Sequence, residues 1–272
     1  MTIREWTIQL TVLSPEEQAS CWFLLQAITN RSRSDLLLSI NQTLDDEQLV
    51  RLELGKKKML EEHYPPQYFV GHAYFYGRKF AVDKRVLIPR FDTEVVVEAM
   101  IQELHHHFAP HILDIGTGSG AIAITLALEL PHATLTATDI SRDTLVVARQ
   151  NARELNASVT FIESDLFTDV EGWYDAIITN PPYIDPDEEV MEMVKSYEPH
   201  LALYSSNHGL YHNQMIIQEA KNHLTPNGVL VLELHSAHSQ EARQMASTHF
   251  CEVEIKRDLC GLDRVLIARR PR

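Results

Sequence analysis

The stretch ILDIGTGSGAIAITLALEL, residues 112–130, constrains the fold more than any other part of the chain. A short apolar run, a glycine-rich turn and a long apolar run at helical spacing follow without interruption. That is the order of strand, tight turn and helix. Gly116, Gly118 and Gly120 permit a tight turn and let a ligand approach the main chain closely. The helix behind them offers unpaired amides at its N-terminus. A bare GxGxG also occurs in purely structural turns, so the surrounding pattern has to decide.

From Ile112 onward the pattern alternates. It predicts strands at 111–115, 134–138, 158–162, 174–179 and 228–234, with helices at 119–130, 141–155 and 210–223 between them. Such alternation specifies an α/β sheet. After a helix near 238–248, CEVEIKRD and DRVLIARR are too close for a helical crossover, so they should pair as an antiparallel hairpin at the end of the sheet.

Residues 1–64 differ in texture and read as helices over 16–29, 33–40 and 44–62. Ser14-Pro15-Glu16-Glu17 has the cap, proline and acids of a helix start, and Asp45 to Glu47 opens the third segment. The aromatic run that follows, punctuated by Gly71 and Gly77, reads as a hairpin with strands at 69–75 and 78–82. The expected organisation is an N-terminal helical domain over 1–66, a β-hairpin linker over 67–88 and a catalytic domain over 89–272.

No apolar run reaches the ~20 residues of a membrane helix, and Met1–Leu10 lacks a secretory pattern, which together predict a cytoplasmic protein. Three scattered cysteines offer neither a disulfide framework nor a zinc site, and His105-His106-His107 point in different directions on a helix, so no metal is expected. A net charge of −14 opposes the gripping of a nucleic-acid backbone.

Three acids narrow the ligand. Asp139 ends the second strand of the α/β unit, 23 residues after Gly116, where it can accept both hydroxyls of a ribose. Ser141 can cap the helix behind it. Asp114 precedes the glycines and suits an ammonium group better than a pyrophosphate. Asp165, in ESDLF, is placed for an adenine amino group, with Leu166 or Phe167 against the ring face. An amino-acid end, a ribose and an adenine together describe S-adenosylmethionine.

NPPYI, residues 180–184, follows the fourth strand and so lies at the same carboxyl edge of the sheet as the glycine turn. Asn180 can accept one N–H of a planar nitrogen with its side-chain oxygen, and the Pro181 carbonyl can accept the other. Pro181 and Pro182 add no competing donors, and Tyr183 can pack its ring on the planar group. Alignment for in-line methyl transfer would be the main contribution.

With these residues in view, the chain resembles the release-factor glutamine N5-methyltransferases, the HemK/PrmC family. The resemblance rests on YPPQYFVGHAYFYGRKFAVDKRVLIPRFDTE (64–94), ILDIGTGSGAIAI (112–124), TDIS (138–141), SDLF (164–167), NPPYI, EPHLAL (198–203) and DLCGLDRVLIARR (258–270). It implies a class I S-adenosylmethionine-dependent methyltransferase fold, with a Rossmann-like seven-stranded sheet beside a small N-terminal helical domain.

It also implies methylation of the glutamine amide in the Gly-Gly-Gln motif of class I peptide-chain release factors, hence a role in translation termination. Gly116, Thr117, Gly118, Ser119, Gly120, Asp139, Asp165, Leu166 and Asn180 would hold the cofactor, and Asn180, Pro181, Pro182 and Tyr183 the glutamine. Arg90 and Phe91 resemble the family's pocket wall, with Thr93 capping a helix from Glu94 and Arg90 and Glu94 available as a buried pair.

Departures from the family pattern include Phe91 in place of a proline, Asn207-His208-Gly209-Leu210, and LELHSAHSQ after the fifth strand. The N-terminal residues, the expected docking region, match only loosely. The acidic segment 185–207 reads either as a solvated lid or as a collar for a basic partner. The alternatives are a glutamine methyltransferase of a ribosomal protein, an adenine-N6 nucleic-acid methyltransferase and a non-enzymatic adenosine sensor. A monomer is expected.

Overall fold

The computed structural model describes residues 1–272 and divides into two compact units, Met1–His72 with Val190–Tyr197, and Ala73–Glu189 with Glu198–Arg272. In the first, α1 (Ile3–Ile8) leads through a short 3-10 turn to α2 (Pro15–Thr29), α3 (Arg33–Leu38), α4 (Asp46–Glu62) and α5 (Pro66–Val70). The start signals do what their chemistry predicts. Ser14 accepts from the Glu17 amide with Pro15 behind it, and Asp45 accepts from Gln48, each completing a reciprocal capping box. Trp6, Leu24, Leu25, Leu36 and Leu52 are fully buried at the centre of this unit.

A hairpin, β1 (His72–Phe75) and β2 (Arg78–Ala81), follows. The expected strand from residue 69 begins three residues later, because Pro66 starts α5 and Gly71 ends it with a left-handed cap. The second unit continues with α6 (Asp92–Leu104), β3 (His111–Ile115), α7 (Ala121–Glu129), β4 (Thr134–Asp139), α8 (Arg142–Glu154), β5 (Thr160–Glu163) and β6 (Tyr174–Thr179). Then come α9 (Glu192–Tyr197), counted with the first unit, α10 (Tyr211–Ala220), β7 (Leu224–Glu233), α11 (Ser239–His249), β8 (Phe250–Arg257) and β9 (Asp263–Pro271).

Seven strands form one sheet in the order β5-β4-β3-β6-β7-β9-β8. The first five are parallel and β9 inserts antiparallel between β7 and β8, as the short Leu259–Leu262 connection requires. Apolar layers lie on both faces, one including Val97, Met100, Ile112 and Ile178, the other Leu113, Ile177, Ile217 and Leu232. This is the α/β sheet that the alternating pattern predicts. Its chain order reverses beside β3, so the loops after β3, β4, β5 and β6 gather at one carboxyl edge. No helix is long and apolar enough to cross a membrane.

Candidate active site

A cavity of about 230 Å³ opens at this edge of the sheet. Its wall brings together most of the residues singled out above: Arg90, Gly116, Thr117, Gly118, Ser119, Asp139, Asp165, Leu166, Asn180 and Pro182. The backbone of the glycine turn explains its composition. Gly116, Gly118 and Gly120 have φ of +70°, +56° and +83°. A side chain on Gly116 or Gly118 would project into open space, whereas one on Gly120 would strike Ile124 at 2.7 Å. The first two glycines leave room for a ligand, and the third lets α7 close on the turn.

Asp114 is 0% exposed and does not line the cavity. Its Oδ2 accepts from the Thr117 hydroxyl at 2.6 Å and the Ala123 amide at 3.2 Å, so it ties the turn to the first turn of α7. Burial pushes its carboxyl up to about 7. Asp139 does face the cavity. It accepts from the Gly118 amide at 3.0 Å and the Ser141 amide at 2.9 Å, and burial raises its pKa against those two bonds. Helix α8 is capped by Ser141 instead, which accepts from Thr144. Each Asp139 oxygen keeps a lone pair for a ligand hydroxyl.

After β5, Leu166 takes a left-handed φ of 48° and joins the cavity wall with Asp165. Phe167 turns the other way and stacks on His223 in the core. Of the two residues expected near the ring face, only Leu166 lines the cavity.

The NPPYI segment leaves β6 with Asn180 at the cavity and Pro181 buried. Neither Pro181 nor Tyr183 contributes to the cavity wall. Tyr183 instead donates its phenol to Glu233 Oε1 at 3.2 Å, at the end of β7. The Asn180 side-chain nitrogen donates to Thr93 Oγ1 at 3.0 Å. Thr93 is thus no cap. Helix α6 starts at Asp92 without a side-chain cap, and Thr93 is a buried part of the site.

Arg90 pairs with Glu198, whose other oxygen accepts from the Ile88 amide at 3.1 Å. Glu94, the partner expected for Arg90, accepts from the Tyr76 amide at 2.7 Å. Glu198 is therefore a buried strut of the wall rather than part of a solvated collar, while Asp185 and Glu188 pair with His208 and His235. The expected loop over 185–207 contains α9 and a 3-10 turn at His200–Ala202. Phe91 is 76% exposed and lies outside the cavity.

Two site residues escaped the reading of the sequence, the buried Glu233 and the half-buried, cavity-lining His212. Glu233 is 0% exposed, and burial pushes its carboxyl up to about 7 against hydrogen bonding by Thr93 and Tyr183 and the nearby Arg264 charge. Its place at the carboxyl end of a parallel strand, at the same edge as Asn180, was the available signal. His212 bonds Ser205, and desolvation lowers its pKa.

Two family models match the chain. The methyltransferase small domain matches residues 92–202, and the PrmC N-terminal domain matches residues 2–71. The release factor glutamine methyltransferase of Lactococcus lactis is 38% identical over 264 residues, covering 96% of each chain, and that of Chlorobaculum tepidum is 40% identical, covering 92% of this chain and 90% of that one. The chain belongs to the release factor glutamine methyltransferase family. The match spans both units, including the N-terminal one.

Solved structures at lower identity share the fold of this family. The 16S rRNA N2 G1207 methyltransferase of Thermus thermophilus aligns with a TM-score of 0.53 at 17% identity, covering 73% of this chain and 49% of that one. A ribosomal protein L11 methylase from Lactobacillus delbrueckii aligns at 0.50 and 22%, covering 66% and 80%.

Proposed function

We propose that this chain transfers a methyl group from S-adenosylmethionine to the side-chain amide nitrogen of the glutamine in the Gly-Gly-Gln motif of class I release factors. The observation that carries the reading is the placement of Asn180 of NPPYI on the wall of the cavity that the glycine turn and Asp139 also line. Membership of the family supplies the substrate class.

The residues present suit the cofactor. Gly116 and Gly118 leave open space where any side chain would intrude, and Asp139 retains acceptors for a ribose diol. Thr117 to Gly120 would meet the amino-acid end, Asp165 the adenine amino group, and Leu166 the ring face. When bound, S-adenosylmethionine supplies an electrophilic methyl on a positively charged sulfur.

The chain's own contribution is to orient the acceptor. An amide nitrogen is a poor nucleophile because its lone pair is delocalised. Asn180 Oδ1, on the cavity wall, accepts one of its N–H groups, holding the nitrogen in place and leaving its π face toward the donor. Tyr183 braces the segment through Glu233. No covalent enzyme intermediate is needed. The N-terminal unit, with Leu37 and Leu38 exposed on α3, is assigned to docking of the release factor.

The test is transfer of labelled methyl from S-adenosylmethionine to purified release factor, ribosomal protein and DNA in parallel. Label should enter the release factor and disappear when its motif glutamine is replaced. Label in DNA alone would overturn the reading.

A further inference from the structure

Asp165 and His212 both line the cavity, and each keeps side-chain atoms that no other residue takes up: the Asp165 carboxylate and His212 Nε2. Asp165 is assigned above to the adenine amino group. His212 stands beside it on the wall with no role yet.

Two neighbours fix its place. Helix α10 starts against NPPYI, where the Ser205 amide donates to the Ile184 carbonyl at 2.9 Å and a Cβ on Gly209 would lie 2.2 Å from the Tyr183 carbonyl oxygen. One turn along, on the face of α10 that carries His212, Ile216 joins the apolar layer that holds Phe167, and Leu166 packs on that layer. Helix α10 therefore runs from NPPYI to the turn after β5, with His212 between them.

Ser205 decides which ring nitrogen carries the proton. Desolvation lowers the His212 pKa against the pull of the Asp165 charge, so the ring is neutral near pH 7 and has a single N–H. Ser205 is 1% exposed, and its Oγ lies 3.2 Å from the His212 amide nitrogen and 2.8 Å from Nδ1. The amide can only donate, so Oγ accepts from it. The hydroxyl proton then has Nδ1 as its one acceptor, since a proton on Nδ1 would leave the hydroxyl proton buried and unbonded. Nδ1 accepts, and the N–H is at Nε2.

We infer that His212 is a specificity residue for the cofactor, its Nε2–H donating to a ring nitrogen beside the adenine amino group that Asp165 accepts. The amino group gives, whereas N1 and N7 on either side of it only accept. One acceptor and one donor on the wall therefore read two neighbouring atoms of the base. Ser205 does not line the cavity and is a positioning residue acting through His212. The inference rests on the cofactor reading above and deepens it.

The probes are S-adenosylhomocysteine, which remains once the methyl has gone, and two analogues of it in which CH replaces N1 or N7. Each is titrated calorimetrically into the full chain and into His212→Phe, which keeps a ring and removes the N–H. The 15N shifts of the His212 ring are recorded in free and loaded wild type and in Ser205→Ala.

One of the two analogues should bind wild type about 10-fold more weakly than S-adenosylhomocysteine, and in His212→Phe that penalty should shrink to within about twofold. His212→Phe should bind S-adenosylhomocysteine itself about 10-fold more weakly than wild type does. The free wild type should show a protonated Nε2, which shifts when S-adenosylhomocysteine binds, and Ser205→Ala should mix the two tautomers. An Nδ1–H tautomer in the free wild type would overturn the inference. So would equal binding of all three probes, or a penalty that His212→Phe leaves intact. If His212→Phe does not fold, the wild type decides, because an Nε2 signal unmoved by S-adenosylhomocysteine overturns it as well. No binding of S-adenosylhomocysteine at all would sink the proposed function; binding with unchanged discrimination sinks only the role of His212.

Discussion

At the scale of single residues, Asp139 does two jobs that one experiment can separate. It holds the Gly118 and Ser141 amides and offers its remaining lone pairs to the cavity. Asp139→Ala should weaken cofactor affinity by about 10- to 100-fold in a calorimetric titration, since two amides lose their acceptor at the cavity wall. Unchanged affinity would count against ribose recognition by this residue. Asn180→Ala should show the opposite profile, with cofactor affinity within about threefold and turnover down at least about 100-fold in a single-turnover assay. Asp114 makes a third prediction, for pH. Its carboxyl titrates near 7 in the folded chain and near the ordinary aspartate value when unfolded. Below about pH 4 it is protonated in both states and costs nothing. As pH rises toward 7 the unfolded chain ionises first, so stability falls by an amount on the order of a few kcal/mol. Denaturant unfolding at pH 5 and pH 8 should show a smaller difference for Asp114→Asn than for the wild type. These roles were unevenly legible. The place of Asp139 on the cavity wall could be read because it ends the strand that follows the glycine turn and its helix. The inward turn of Asp114 could not, because its partners Thr117 and Ala123 meet it only once the turn has closed.

At the scale of elements, helix starts could be read where capping chemistry is local. Ser14, Asp45 and Ser141 each stand at the predicted start and bond an amide three residues on. Helices without such a signal were missed or displaced. Helix α6 begins at Asp92 with no side-chain cap, and its second residue, Thr93, is spent on Asn180 instead. Short α5 and α9 carry too few residues for a periodic pattern to show. The hairpin of β1 and β2 could be read as strands, but not its attachment. Asn151 of α8, 1% exposed, bonds both the amide and carbonyl of Ala81 and the carbonyl of Ser119. One side chain thereby fastens the hairpin to the glycine turn. The third glycine supplies this scale's prediction. Gly120→Ala combines a positive φ with contact at 2.7 Å on Ile124, so it should lower stability by about 1–2 kcal/mol. Thermal unfolding should drop by several degrees. Equal Tm values would mean that α7 tolerates displacement from the turn.

At the scale of the whole molecule, the alternating pattern from Ile112 onward foretold an α/β sheet with an antiparallel hairpin at its end, but not the spatial order of the strands, which local sequence does not encode. Nor did it foretell that Val190–Tyr197 belongs to the first compact unit. Nothing local marks the segment; its partners lie more than a hundred residues away. Tyr197 donates to the Glu62 carbonyl at 2.9 Å and sets its ring edge-on to Tyr64 at 5.0 Å, while Met193 packs against the helical core. Tyr197→Ala should therefore raise hydrogen exchange at the end of α4 and leave the sheet strands protected; equal exchange in both would refute this. The same feature has a consequence for biosynthesis. The helical unit is translated first, yet it cannot be completed until Tyr197 has been made, 125 residues after His72. At about 5–20 residues per second that is a wait of roughly 6–25 s. For that interval the end of α4 stands without the edge that Tyr197 and Met193 later cover, and a nascent chain is open to chaperones and proteases there.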